Sequence, residues 1–262
     1  MNERAPLPEA ITQPEPGPVA LIAPHPDDDV IGAGGTVALH ADAGDPVHVL
    51  VFFDGRAGDA DGHHDPADYV ARRRAEGRAG GKHLGLERYT FWDYPEGHEP
   101  ADEELIPPAR RIAGWLAEVR PRTVYAPWIG EYHLDHHVVT RVVRMGLALV
   151  GFDGQAWGYE VWTPLIPTRV VDVSAVFERK RQALAEHKSQ FEYHPMDHKA
   201  LSLSGQRAMY CAREATHGEA FAPLGGPSPN DAALVAAVRE ADERARADAA
   251  TPSPGSSSGP EA

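Results

Sequence analysis

A chain of 262 residues, 42% hydrophobic and 24% charged, is long enough to bury a substantial core and has the composition of an ordinary globular protein. Its formal charge of −14, from 25 basic and 39 acidic residues, has the wrong sign for gripping a phosphate backbone, which argues against nucleic acid as a partner. The lone cysteine, Cys211, excludes an intramolecular disulfide and a thiolate metal cluster, and fits a reducing cytoplasm.

In chain order, residues 1–17 are rich in Pro and Glu and are expected to form a loose tail without the apolar core of a secretory leader. Val19–Ala23 reads as a buried strand, and 35–43 as a helix. Val47–Phe53 is a second strand, and 68–84 is a helix with Gly85 placed to cap it. A strand over 89–94 precedes a helix over 101–120, begun by acids and ended by Arg-Pro as the helix dipole prefers. Thr123–Pro127 is a strand and 135–150 a helix. Further strands are expected at 156–162 and 169–173, and helices at 174–190 and 230–249, before a Pro/Gly/Ser tail at 251–262. No linker or internal repeat divides the chain, so one α/β domain is expected over 18–250. No apolar run approaches the ~18 residues of a membrane span. Strands alternating with helices imply a layered α/β sheet with mainly parallel pairing, whose sites form beyond the carboxyl ends of the strands.

Two such ends carry unusual chemistry. The first strand runs into Pro24-His25-Pro26-Asp27-Asp28-Asp29, which packs one imidazole and three carboxylates together with no Lys or Arg nearby in sequence. One Asp suffices to cap a helix; three repel one another unless a cation compensates. After Thr123–Pro127 comes Glu131-Tyr132-His133-Leu134-Asp135-His136-His137. His133 and His136 share a face if the helix has begun. The topology predicts that the two clusters meet. Two histidines and an aspartate would make a three-ligand zinc site with an open position for water. Zinc lowers the pKa of such a water to about 7. A spare carboxylate could then take its proton, and a spare imidazole could stabilise the oxyanion or protonate the leaving amine.

At these residues the sequence resembles the PIG-L/LmbE-type N-acetylglucosaminyl deacetylases. The family's A/P-H-P-D-D-E motif stands here as PHPDDD (Pro24 to Asp29), and its H-x-D-H motif as HLDH (His133 to His136). Weaker likenesses extend the match over most of the chain: Arg73-Arg74-Ala75-Glu76 with His83-Leu84-Gly85, the stretch Gly158 to Trp162, and Lys180 with His187-Lys188-Ser189-Gln190. The resemblance implies a three-layer, Rossmann-like, mainly parallel sheet with flanking helices. It implies that His25, Asp28 and His136 bind zinc, with iron(II) an alternative in the cell. It implies Asp27 as general base toward the attacking water, His133 as carbonyl polariser or acid with Asp135 as its charge partner, and Arg73 as a substrate-binding arginine. The substrate it implies is a small N-acetylated amino-sugar conjugate whose aglycone stays unnamed. A homo-oligomer stays open. Asp29 departs from the family's Glu, keeping the charge with a shorter reach.

Other readings compete. Gly32-Ala33-Gly34-Gly35 lacks the G-x-G-x-x-G spacing, and its neighbouring carboxylates would repel a pyrophosphate. Asp54 and the 58–65 loop could hold a second metal, as in a phosphoesterase. A non-catalytic metal- or sugar-binding module would need only a closed coordination shell. His137 would be a ligand if the register were shifted. Trp92, Trp128 and Tyr132 are candidates to stack on a sugar or to fill the core.

Overall fold

In the computed structural model, which describes residues 6–193 and 195–250, the fully buried run Val19–Ala23 (β2) lies inside an eight-stranded sheet. Val47–Phe53 (β3) and Thr123–Pro127 (β5) flank it in parallel. Arg88–Tyr94 (β4) closes the β3 edge. Beyond β5 come Gln155–Tyr159 (β6), Gly218–Pro223 (β8), Arg169–Asp172 (β7) and Glu9–Ile11 (β1). Within this sheet β8 runs antiparallel to both its neighbours, and the remaining pairs are parallel.

Successive side chains of β2 serve two cores. Val19, Leu21 and Ala23 join one, and Ala20 and Ile22 the other, because a strand's side chains alternate between its faces. Asp28–Asp42 (α1), Pro66–Leu84 (α2) and Phe177–Ala185 (α5) pack together over the first core. Ile106–Val119 (α3), Leu134–Val150 (α4) and Pro229–Ala250 (α8) cover the second. The result is three layers, as the alternation implies. Among the described residues no helix is long and apolar enough to cross a membrane.

Several elements depart from expectation. α1 begins at Asp28, seven residues before the start expected from its glycines. Those glycines serve packing: a Cβ on Gly32 would lie 2.1 Å from the Tyr159 ring, and one on Gly35 2.6 Å from Val173. The N-terminal stretch expected to be loose supplies β1, whose backbone pairs with β7 and whose Glu9, with Glu15, holds Arg169 at 2.8 Å. An edge strand needs only backbone partners and these ion pairs, so no apolar alternation announces it. The helix expected over 174–190 ends at Ala185, and Lys188–Phe191 (α6) and Met196–Arg207 (α7) follow. β8, with the sequence GEAFAP, is strand-like only in its burial. The tail at 251–262 lies outside the described residues.

β8 also staples α1. The Glu219 carboxylate accepts the amides of Gly35 and Thr36 and the Thr36 hydroxyl, each at 2.7 Å, and Lys180 Nζ at 2.6 Å. Lys180 donates as well to the Ile31 carbonyl at 2.9 Å. Both charged side chains are almost fully buried.

Candidate metal centre

β2 and β5 are neighbours in the sheet, so the loops leaving their carboxyl ends emerge side by side. The first passes through His25 and Asp27, which is the N-cap position of α1. The second passes through Glu131 to His133, which caps α4 by accepting the Asp135 amide at its Nδ1. Adjacent strands therefore bring together residues more than a hundred positions apart.

Asp28 Oδ2 lies 3.1 Å from His25 Nδ1 and 3.2 Å from His136 Nε2. All three side chains are buried, and their ligand atoms lie within 4.8 Å of one another. Both ring nitrogens of His136 face carboxylates, Asp28 at 3.2 Å and Glu131 at 3.4 Å, without hydrogen-bond geometry to either. The surrounding charges call for a cation. Burial opposes the charged form of His136, yet the Asp28 carboxylate lifts its pKa to about 9. Burial likewise works against His25, but hydrogen bonds to the carboxylates of Asp135, Asp28 and Glu96 raise it well above the usual imidazole range. Asp28 is held well below the carboxylate range, its burial outweighed by the charge of His136. Two imidazoles and one carboxylate around a point that favours positive charge suit a divalent ion of the zinc or iron(II) type.

His25 and Asp28 line a cavity of about 340 Å³, within the range of small-molecule sites. Asp27 reaches into it, its Oδ2 3.1 Å from Arg73 Nη2. Arg73 is buried rather than a solvated member of its Arg run, and its Nη1 donates to the Gly55 carbonyl at 2.8 Å. His133 lies at the mouth, 5.3 Å from His25 and 4.7 Å from His136 between ring centroids. Because its Nδ1 accepts the Asp135 amide, its proton sits on Nε2. Burial, reinforced by His136 and His25, lowers its pKa.

A family model described as PIG-L, GlcNAc-PI de-N-acetylase, matches residues 20–146. A diacetylchitobiose deacetylase of Thermococcus kodakarensis is 30% identical over 194 residues, covering 66% of this chain and 70% of the relative. The chain belongs to the PIG-L family. A second relative, a 1D-myo-inositol 2-acetamido-2-deoxy-alpha-D-glucopyranoside deacetylase of Kineococcus radiotolerans, is 30% identical over 172 residues, 53% of this chain and 47% of the relative. The fold matches the structure of the N,N'-diacetylchitobiose deacetylase from Pyrococcus horikoshii with a TM-score of 0.64 at 23% identity, over 79% of this chain and 84% of that one.

Within this PIG-L frame some expectations shift. Asp135 Oδ2 is 3.8 Å from His133 but 3.1 Å from His25 Nε2, so the capping role of His133 leaves Asp135 to the other imidazole. His137 points to the Ile129 carbonyl, away from the triad. Asp29 accepts the Tyr89 hydroxyl at 2.6 Å, and burial raises its pKa to about 7. Three of the carboxylates offered to a second metal are engaged elsewhere: Asp54 pairs with Arg56, Asp59 accepts the amides of His63 and His64, and Asp65 caps α2. Trp92 fills the core and Tyr132 is exposed.

Two acids went unassigned in the sequence. Glu96, beyond the carboxyl end of β4, lies 3.1 Å from His25 Nε2 and accepts the Ala57 amide. Its place after a strand end is the signal that could have found it. Glu131 is 4% exposed and lies 3.4 Å from His136 Nδ1. It also accepts the amides of Val161, Trp162 and Thr163 at 2.7, 3.2 and 3.3 Å. A carboxylate two residues before the histidine motif was visible, but its reach to the 161–163 loop was not. The weak sequence likenesses also meet: Glu76 accepts the amide and hydroxyl of Ser189, the latter at 2.6 Å.

Proposed function

We propose that this chain is a metal-dependent N-deacetylase that removes the acetyl group from an N-acetylglucosamine-type conjugate. The observation that carries the reading is one aspartate oxygen, Asp28 Oδ2, within 3.2 Å of two buried imidazoles, beside an aspartate and a capping histidine that line a cavity. His25, Asp28 and His136 would hold the ion, zinc or iron(II). When bound, such an ion polarises an acyl carbonyl and acidifies a water. Asp27, oriented by Arg73, accepts the proton of the attacking water as the general base. Arg73 lines the same cavity and contributes to binding the sugar. His133 presents its Nε2 proton to the carbonyl oxygen as negative charge develops there. A neutral donor fits its lowered pKa better than an imidazolium. The proton held by Asp27 then passes to the departing amine. Asp135 and Glu96 orient His25, and Glu131 orients His136, as carboxylates beside metal-binding histidines do.

The substrate is read as a small amino-sugar conjugate because the curated relatives carry such names. The test is free-amine release from a panel of N-acetylglucosaminyl conjugates with and without chelator. Release that chelator abolishes and a divalent ion restores is the expected result. Release that ignores chelator, or none from any conjugate, contradicts the proposal.

A further inference from the structure

We propose that Trp162 is a partition between two halves of the substrate site, and that the second half takes an apolar aglycone. Trp162 belongs to the wall of the cavity that holds Asp27, Asp28 and His133. It belongs equally to the wall of a second cavity of about 270 Å³, lined mainly by Ile31, Val161, Pro164, Ala200 and Leu203. The two cavities differ in chemistry. The first is bordered by histidines, acids and Arg73, and the second by aliphatic side chains. Ile31 lies one helical turn beyond Asp28 on α1, so the apolar cavity opens close to the proposed metal.

The partition is held in place. The indole is 52% exposed, yet its own amide and those of both neighbours bond to the buried carboxylate of Glu131. The same loop is fixed from its other side, where Thr163 accepts the Tyr132 amide at 2.9 Å and the Trp128 indole N–H at 2.8 Å. Pro164 lines the second cavity, and Ile166, two residues further on, is 80% exposed. The contiguous apolar lining of the second cavity is what offers a binding surface, and the pre-organised backbone of the loop reduces the entropy lost on binding. Continuity through one indole names the occupant: the part of the conjugate remote from the acetamide. The inference rests on the proposed reaction for what occupies the polar half.

Two matched probes test it, methyl and hexyl glycosides of N-acetylglucosamine. In the wild-type chain kcat/KM for amine release is expected to be at least ten-fold higher for the hexyl sugar. The ratio should fall toward one in Leu203→Asn and in Ala200→Phe, which fills the cavity. Calorimetric titration of the same sugars into Asp27→Asn protein reads binding with turnover suppressed, with the hexyl sugar at least ten-fold tighter and the preference lost when either cavity substitution is added. Equal affinities in Asp27→Asn and equal kcat/KM in the wild type overturn the inference, as does a preference that both cavity variants retain. Tighter hexyl binding without amine release from either sugar supports the apolar half and refutes the reaction. Self-association that Leu203→Asn abolishes, with no discrimination between the sugars, would assign the surface to a second copy of the chain and overturn the proposal.

Discussion

Removing the Glu219 carboxylate should destabilise the fold strongly. Four donors converge on it at 2.6–2.7 Å: two amides of α1, the Thr36 hydroxyl and Lys180. Glu219→Ala leaves a buried ammonium without a counter-charge, and stranding one partner of a buried pair costs about 3–5 kcal/mol. Domains are stable by roughly 5–15 kcal/mol in total, so the loss is a third or more of a typical margin. Urea denaturation, followed by two probes to verify a two-state transition, should show a midpoint lower by about 1 M or more with an unchanged slope. Glu219→Gln separates charge from shape. Its single amide oxygen can still accept from the Thr36 amide and hydroxyl at the Oε2 position, while its NH2, a donor, leaves the Gly35 amide and Lys180 without their acceptor. Adding Lys180→Met to it should therefore recover stability, with a coupling of about 0.5–3 kcal/mol. A Glu219→Ala protein within about 1 kcal/mol of wild type, or strictly additive effects of the two substitutions, would refute this account of how α1 is held.

Asp27→Asn should keep the bound ion, measured by elemental analysis, while turnover falls roughly 10²- to 10⁴-fold, the usual contribution of a general base. Glu131→Gln should weaken metal affinity about 10- to 100-fold in a chelator competition, since it removes the carboxylate beside His136. The stability of the fold should also respond to pH through His40. This buried imidazole bonds to Asp45 at 2.8 Å and to the Tyr125 hydroxyl at 3.2 Å, and burial lowers its pKa from 6.5. A base with a depressed folded pKa is protonated first in the unfolded chain. Stability should hold above about 6.5 and fall as the pH drops from there toward the folded pKa. Thermal melts from pH 7.5 to 5 should show a shallower decline in His40→Gln; identical slopes in the two proteins would contradict the assignment.

The central strands and helices were legible because their signals are local. β2, β3 and β5 are apolar runs, and the Gly85 cap has its expected left-handed φ of 79°. The meeting of the two His/Asp clusters was legible for a different reason, and the resemblance singled out His25, Asp28 and His136 among their residues. Residues placed beyond parallel strand ends must converge, and β2 and β5 proved to be neighbours. What stayed hidden depends on long-range partners. β1 and β8 are strands because of what they pair with, and β8 carries a glutamate whose meaning appears only against Lys180 and the α1 amides. The glycines of α1 hid its first two turns, and which side chains they admit, Tyr159 and Val173, appears only in the fold. Glu131 acts on a loop thirty residues away, so nothing in its own neighbourhood reveals that it links His136 to Trp162.

The claim on which the rest depends is that residues 25, 28 and 136 share one ion. X-ray absorption at the metal edge, on protein loaded with a single equivalent of zinc, tests it most directly. Two imidazole ligands are expected, with oxygen completing the shell, one imidazole lost in His136→Ala, and metal affinity falling with it. A spectrum with fewer than two imidazoles in the wild type, or one that His136→Ala leaves unchanged, would contradict it.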